Sequence, residues 1–145
     1  MRLRYVCHAL LILFCLSTWL PNSTVAAGGI KWYAYNEGMA LGKNEKRSVF
    51  LHFYADWCYY CKKMAKETFQ DPSVVSFVNE NLIAIKVDVE KEKKIASNFG
   101  VRALPTTWIL EEKGDKIGPL VGYIPPGKFI LMLKRILTAP KEDKL

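Results

Sequence analysis

Val49-Phe50-Leu51-His52-Phe53-Tyr54-Ala55-Asp56-Trp57-Cys58-Tyr59-Tyr60-Cys61-Lys62-Lys63-Met64 is the stretch around which the chain organises. Val49 to Ala55 is a short, almost unbroken apolar and aromatic run that follows the charged residues Lys43 to Arg47. Such a run suits a central strand covered on both faces. From Cys58 the period changes. Cys61, Met64, Ala65 and Thr68 recur at helical spacing with Lys62, Lys63 and Lys66 between them, so the segment reads as an amphipathic helix beginning at the first cysteine. The unpaired amides of a helix N-terminus carry partial positive charge and favour the thiolate, which is the reactive form of cysteine. Cys58 is therefore expected to be the more acidic thiol. Cys61 lies one turn on, about 5 Å along the axis, close enough to form a disulfide with Cys58 and more shielded from partners. This spacing offers an attacker and a resolver, with a static structural disulfide and half of a zinc site as alternatives. Zinc takes four ligands, and beyond residue 27 the soft ligands on offer are Cys58, Cys61 and His52, so no metal is assigned. Lys62 after Cys61 excludes a haem attachment motif.

Outward from this stretch, strands alternate with helices. Upstream, Ile30 to Tyr35 suits a first strand or extended edge, and Asn36 is placed to cap a short helix over Glu37 to Asn44. Downstream, the active-site helix should end near Phe69. Asp71 then caps a second helix with Pro72 at its first position and Val74, Val75 and Val78 inward. Leu82 to Asp88 reads as a strand parallel to the first, because a helical crossover joins them. Glu90 to Phe99 reads as a lysine-rich helix stopped by Gly100. Pro105 belongs at the start of a strand over Thr106 to Leu110, where its missing N–H breaks no ladder bond. Glu111 to Asp115 is a hairpin turn leading to a last strand near Ile117 to Val121. A final helix after Pro125-Pro126 carries Phe129, Ile130, Leu133, Ile136 and Leu137 as a core-facing stripe and ends at Pro140, after which Lys141 to Leu145 should fray.

The first 27 residues read differently. Arg2 and Arg4 form a basic start, Ala9 to Leu20 is apolar, and Val25-Ala26-Ala27 offers small residues for a signal peptidase, so residues 1–27 are expected to be a cleaved signal peptide and residues 28–145 one domain. An uncleaved anchor is the alternative, although a span needs about 20 apolar residues. Cys7 and Cys15 would leave with the leader, and two of the four cysteines, Cys58 and Cys61, would remain. In an exported protein a single closely spaced pair points to redox work rather than to a disulfide framework. The formal charge of +7 is carried mainly by dispersed lysines. Without an arginine-rich block or a nucleic-acid motif, this reads as a lysine-coated surface suited at most to acidic partners or an anionic membrane face.

Tyr54-Ala55-Asp56-Trp57-Cys58 with Cys61-Lys62, then Thr68-Phe69 and Asp71-Pro72, resembles the thioredoxin superfamily. The likeness is strongest to its secreted branch, which includes the C-terminal periplasmic domain of the transmembrane disulfide reductase DsbD. It spans roughly Lys31 to Leu137 and implies an α/β thioredoxin-like fold, a central mixed sheet flanked by helices. It also implies a thiol:disulfide oxidoreductase needing no cofactor and no nucleic acid, periplasmic or secreted, and a monomer. Partners would be disulfide-containing protein substrates and an upstream thiol reductant or membrane reductase. Reduction is the direction favoured. A disulfide donor or isomerase is the alternative, as is a non-catalytic thiol pair that carries copper or serves as an adaptor. By resemblance, Leu104-Pro105 matches the cis-proline loop that lies beside the cysteines and offers backbone hydrogen bonds to an extended substrate segment, with Trp57, Tyr59 and Tyr60 as an apolar rim. Three positions depart from the pattern. His52 stands where many relatives have a buried aspartate, Ala65 where DsbD-like domains have a glutamate, and Tyr59-Tyr60 where thioredoxin has Gly-Pro. His52 is expected beneath the cysteine pair near Cys61, neutral because burial disfavours its charged form, and so a candidate catalytic base for the Cys61 proton; a core histidine is the alternative.

Overall fold

A computed structural model describes residues 28–138. The expected leader at 1–27 and the tail at 139–145, including the helix stop at Pro140, lie outside the described residues. Five strands, β1 (Trp32–Tyr33), β2 (Val49–Tyr54), β3 (Ile83–Asp88), β4 (Thr106–Leu110) and β5 (Lys116–Val121), form one sheet in the order β1-β3-β2-β4-β5. β2 is central, parallel to β3 and antiparallel to β4, so the sheet is mixed, as expected. The helices are α1 (Tyr35–Glu45), α2 (Tyr59–Glu67), α3 (Pro72–Asn81), α4 (Lys93–Asn98) and α5 (Pro126–Thr138).

The almost unbroken apolar character of β2 is explained by burial on both faces. Phe50 shares one core with Met64 of α2, Val74 and Val78 of α3, and Phe129 and Leu133 of α5. Val49, Leu51 and Phe53 share the other with Ile85, Ala96 and Phe99. Aromatic rings bind the first layer together, with the Phe50 ring 5.5 Å from Trp32, 5.7 Å from Phe69 and 5.6 Å from Phe129, distances at which tilted and edge-on pairs are favourable. Asp71 caps α3 by accepting from the amides of Ser73 and Val74, and Pro72 opens the helix where no donor is needed.

Three expectations are corrected. The first strand shrinks to two residues because the Lys31 amide donates to Asn79 Oδ1 rather than to a neighbouring strand, and Ile30 turns into the core. α1 begins at Tyr35 after Ala34, whose side chain makes no cap bond, so Asn36 lies inside the helix and does not cap it. α4 is shorter than Glu90 to Phe99 because Asp88 holds the preceding turn. Its carboxylate accepts from the Glu90 amide and its carbonyl from the Glu92 amide. The Gly100 stop, in the left-handed region at φ +61°, is as expected.

The close approach of α1 to β3 depends on Gly38. A Cβ there would come within 2.3 Å of Ile85 Cγ1 and 3.2 Å of Tyr33 Cβ. Gly38→Ala should therefore destabilise the fold by about 1–3 kcal/mol through overpacking, overriding the helix-propensity gain of about 1 kcal/mol. The check is a lower urea midpoint at unchanged slope. An unchanged or raised midpoint would show that α1 can shift away freely.

Both sheet edges are short or interrupted. β1 pairs through two residues. β5 carries exposed Pro119 and faces a register irregularity between Thr107 and Ile109 of β4.

Candidate active site

Cys58 and Cys61 are joined in a disulfide with Cα atoms 5.2 Å apart. The site sits where β2 ends and α2 begins. The chain leaves β2 through Ala55, whose carbonyl accepts from the Cys58 amide at 3.1 Å. Cys58 then takes the N-cap position, and its Sγ accepts from the Cys61 amide at 3.1 Å. One of the unpaired amides that every helix start presents is thus aimed at the sulfur of Cys58. In the reduced state the same bond favours the thiolate, since hydrogen bonding to a charged form lowers its pKa.

The residues between and before the cysteines face solvent. Trp57 is 67% exposed, Tyr59 71% and Tyr60 56%, and the two tyrosine rings meet edge-on at 5.3 Å. Both cysteines are nearly covered and cluster with Ala55, with Tyr54, Val89 and Leu104 packed around them. Leu104 brings the proline loop to the site, and the Leu104–Pro105 bond is cis. Pro105 is buried, and its carbonyl accepts from the Gly122 amide at 2.8 Å.

His52, the fourth residue of β2, is buried on the face shared with Phe50. Its ring lies 4.8 Å from Phe69, 6.1 Å from Trp32 and 6.2 Å from Phe50. Its Nδ1 lies 3.2 Å from the hydroxyl of Thr107, its antiparallel partner on β4. Burial, reinforced by the positive charge of Lys86, pushes its pKa down to about 3, so the imidazole is neutral at physiological pH. Beside the site, Asp88 pairs with Lys91 at 3.1 Å. The Lys91 hydrogen bond and the Glu90 amide hold its carboxyl below the usual range. Tyr54 has a raised pKa, mainly from burial and then from Asp88.

The sequence-predicted residues Cys58, Cys61, Leu104 and Pro105 are thus brought to one place, with Trp57 and Tyr59 exposed at its rim. His52 is seated in the aromatic layer of Trp32, Phe50 and Phe69. Sequence reasoning missed Thr107, the polar partner of His52, and Tyr123, whose hydroxyl bonds Glu67 of α2 at 2.6 Å. Both pairings span more than 50 residues of chain and follow from register and loop path rather than from any local pattern. Among the described residues no cluster of metal-ligating side chains occurs, and no helix is long and apolar enough to cross a membrane.

Residues 35–137 match the thioredoxin-like domain family. The chain is 31% identical over 104 residues to the thiol:disulfide interchange protein DsbD of Vibrio vulnificus, covering 68% of this chain and 17% of that protein. It is 41% identical over 97 residues to a protein disulfide-isomerase of Datisca glomerata, covering 66% of this chain and 19% of that protein. The chain thus spans less than a fifth of the length of these relatives. Among solved structures, a thioredoxin from Thermus thermophilus aligns at TM-score 0.69 and 25% identity, covering 75% of this chain and 88% of that one. The oxidised C-terminal domain of Neisseria meningitidis DsbD aligns at TM-score 0.60 and 27% identity, covering 72% of this chain and 98% of that one. With a Cys58–Cys61 disulfide at the start of α2 beside a proline loop, on a sheet of this order, the chain belongs to the thioredoxin-like family.

Proposed function

We propose that this protein reduces disulfides in partner proteins outside the cytoplasm, with Cys58 as attacking thiol and Cys61 as resolving thiol. The observation that carries the reading is the bond from the Cys61 amide to Cys58 Sγ at the first turn of α2, which favours a thiolate on Cys58. In the reduced protein the Cys58 thiolate attacks one sulfur of a partner disulfide. The partner S–S bond breaks, a mixed disulfide forms, and the departing partner sulfur takes a proton. Cys61 then gives up its proton and attacks Cys58 Sγ, releasing the second partner thiol and leaving the Cys58–Cys61 disulfide. The partner gains two electrons and two protons, which an upstream thiol reductant or membrane reductase must replace. Likeness to DsbD supports this direction, and the basic start, apolar run and small residues at 1–27 support export with cleavage near Ala27.

Trp57, Tyr59 and the main chain at Leu104-Pro105 form the contact surface for an extended partner segment, where strand addition gives affinity with little dependence on sequence. For His52 the magnitudes weigh against holding the Cys61 proton. A thiol of ordinary pKa near 8.5 passing its proton to an imidazole at about 3 climbs roughly 7 kcal/mol, so the role proposed here is to carry Thr107, and with it the strand that follows Pro105, against β2. Incubating the reduced protein with insulin, and the oxidised protein with a reduced unfolded substrate, tests the direction. Insulin reduction should be at least about tenfold faster than substrate oxidation when a thiol donor is supplied. The opposite ranking would make the chain a disulfide donor, and absence of both activities would reduce it to an adaptor.

A further inference from the structure

The loop after β5 is tied at both ends to the parts of the site that must face each other. On one side, the Tyr123 hydroxyl donates to Glu67 Oε2 at 2.6 Å, and Lys63 Nζ lies 4.6 Å from the centre of the Tyr123 ring. Glu67 ends α2, and Lys63 is two residues past Cys61. One residue further along the loop, the Ile124 carbonyl accepts from the buried hydroxyl of Thr68 at 2.6 Å. On the other side, the Gly122 amide donates to the Pro105 carbonyl at 2.8 Å. Gly122 has φ +87°, a conformation that frees the chain to turn between the two attachments. Residues 122–124 are thus a strap from the helix that carries both cysteines to the loop that would hold the partner's backbone.

On the α2 side the strap has one buried neutral bond and one charge-assisted bond. The hydrogen bond that Tyr123 donates to Glu67 leads the causes that raise the Tyr123 pKa, so the phenol stays protonated as donor. Tyr123 is half-buried with its bond to Glu67 at the surface, and hydrogen bonds to an ionised acceptor are stronger than neutral ones. Losing the hydroxyl frees the middle of the strap while Thr68 still holds Ile124. The freedom gained falls on Gly122 and therefore on the Pro105 carbonyl.

We propose that Tyr123, clamped by Glu67 and Lys63, is a positioning residue that sets the spacing between α2 and the Pro105 loop and so selects for substrates that lay an extended main chain across that gap. This rests on the reading of the chain as a protein-disulfide reductase. The hydroxyl matters for a protein disulfide, whose flanking backbone occupies the gap, and is indifferent for a small disulfide, which reaches Cys58 without it.

Tyr123→Phe keeps the ring over Lys63 and removes the donor, while Glu67→Gln keeps an acceptor oxygen in place. Steady-state kinetics with insulin and with hydroxyethyl disulfide are compared, and exchange of the Gly122 amide is followed by NMR. In Tyr123→Phe the KM for insulin should rise about 3–10-fold with kcat within about twofold, as expected for loss of one hydrogen bond. Hydroxyethyl disulfide kinetics should not change. Gly122 should exchange several-fold faster, and Glu67→Gln should keep most of the wild-type KM. A lowered melting temperature with unchanged insulin KM would make Tyr123 a packing residue and overturn the proposal, as would equal losses on both disulfides. A wild-type protein inactive on insulin but active on hydroxyethyl disulfide overturns the reductase reading instead. In that case the Gly122 exchange still decides whether Tyr123 holds the strap.

Discussion

Replacing Cys58 with serine should lower insulin reduction to the uncatalysed background, a loss on the order of a thousandfold or more, because the attacking thiolate is gone. Cys61→Ser should also stop turnover, but with a different product. Cys58 still attacks, no second thiol releases the partner, and a covalent adduct accumulates that a non-reducing gel displays and a thiol reagent dissolves. The asymmetry follows from the placement of the sulfurs, Cys58 at the helix start and Cys61 one turn in with its amide directed at Cys58 Sγ. Adduct formation by the Cys58→Ser protein and none by Cys61→Ser would reverse the two roles. Recovery of trapped partners from cell extracts with Cys61→Ser would then identify physiological substrates.

The second large effect lies in acid. His52 has a folded-state pKa near 3 and an unfolded value near 6.5, so below pH 6.5 the unfolded chain binds a proton that the native protein refuses. Native stability should be at its full value above pH 6.5 and fall as pH is lowered towards 3. The loss is about 2 kcal/mol at pH 5, using 1.36 kcal/mol per pH unit. The window from pH 7 to 5 lies above the range in which carboxylates such as Asp88 begin to protonate. The cause is burial against Phe69, Trp32 and Phe50, with the Lys86 charge adding to it. Denaturant titrations at pH 7 and pH 5 measure the drop, and His52→Leu should remove most of it while preserving the volume of the site. A drop of equal size in His52→Leu would assign the acid sensitivity elsewhere. The same variant addresses catalysis, because resolution of the Cys58 mixed disulfide should be unchanged once the folded fraction is taken into account.

What the sequence discloses is what is encoded locally. The doubly buried strand β2 is legible because Val49 to Phe53 leaves no polar interruption except His52. The start of α2 is legible from the change of period at Cys58, and that of α3 from Asp71-Pro72, where capping chemistry sits within three residues. Pro105 is legible as a strand start because proline has few other places in a sheet. The misread elements depend on distant atoms. β1 is cut short by Asn79, 48 residues from Lys31, and α4 loses its first residues to a turn held by Asp88. The same division runs through the site. The cysteines declare themselves by spacing, and the burial of His52 by its place in a run suited to cover on both faces. Its partner Thr107 appears only once the antiparallel register is known, and Tyr123 only once the path of the loop after β5 is known.

A reductase of protein disulfides, as proposed above, would meet chains able to pair with any open strand. At one edge of the sheet β1 offers two residues, too short a template to hold a stranger. At the other, Pro119 takes one N–H out of the row that β5 presents, and the irregularity opposite it disturbs the repeat that a docking strand would need. Adventitious partners are thereby turned away from the flanks. On the function proposed above, an incoming polypeptide would find its main-chain partners at the mouth between the Pro105 loop and the helix that bears the sulfurs, where contact leads to chemistry rather than to an aggregate.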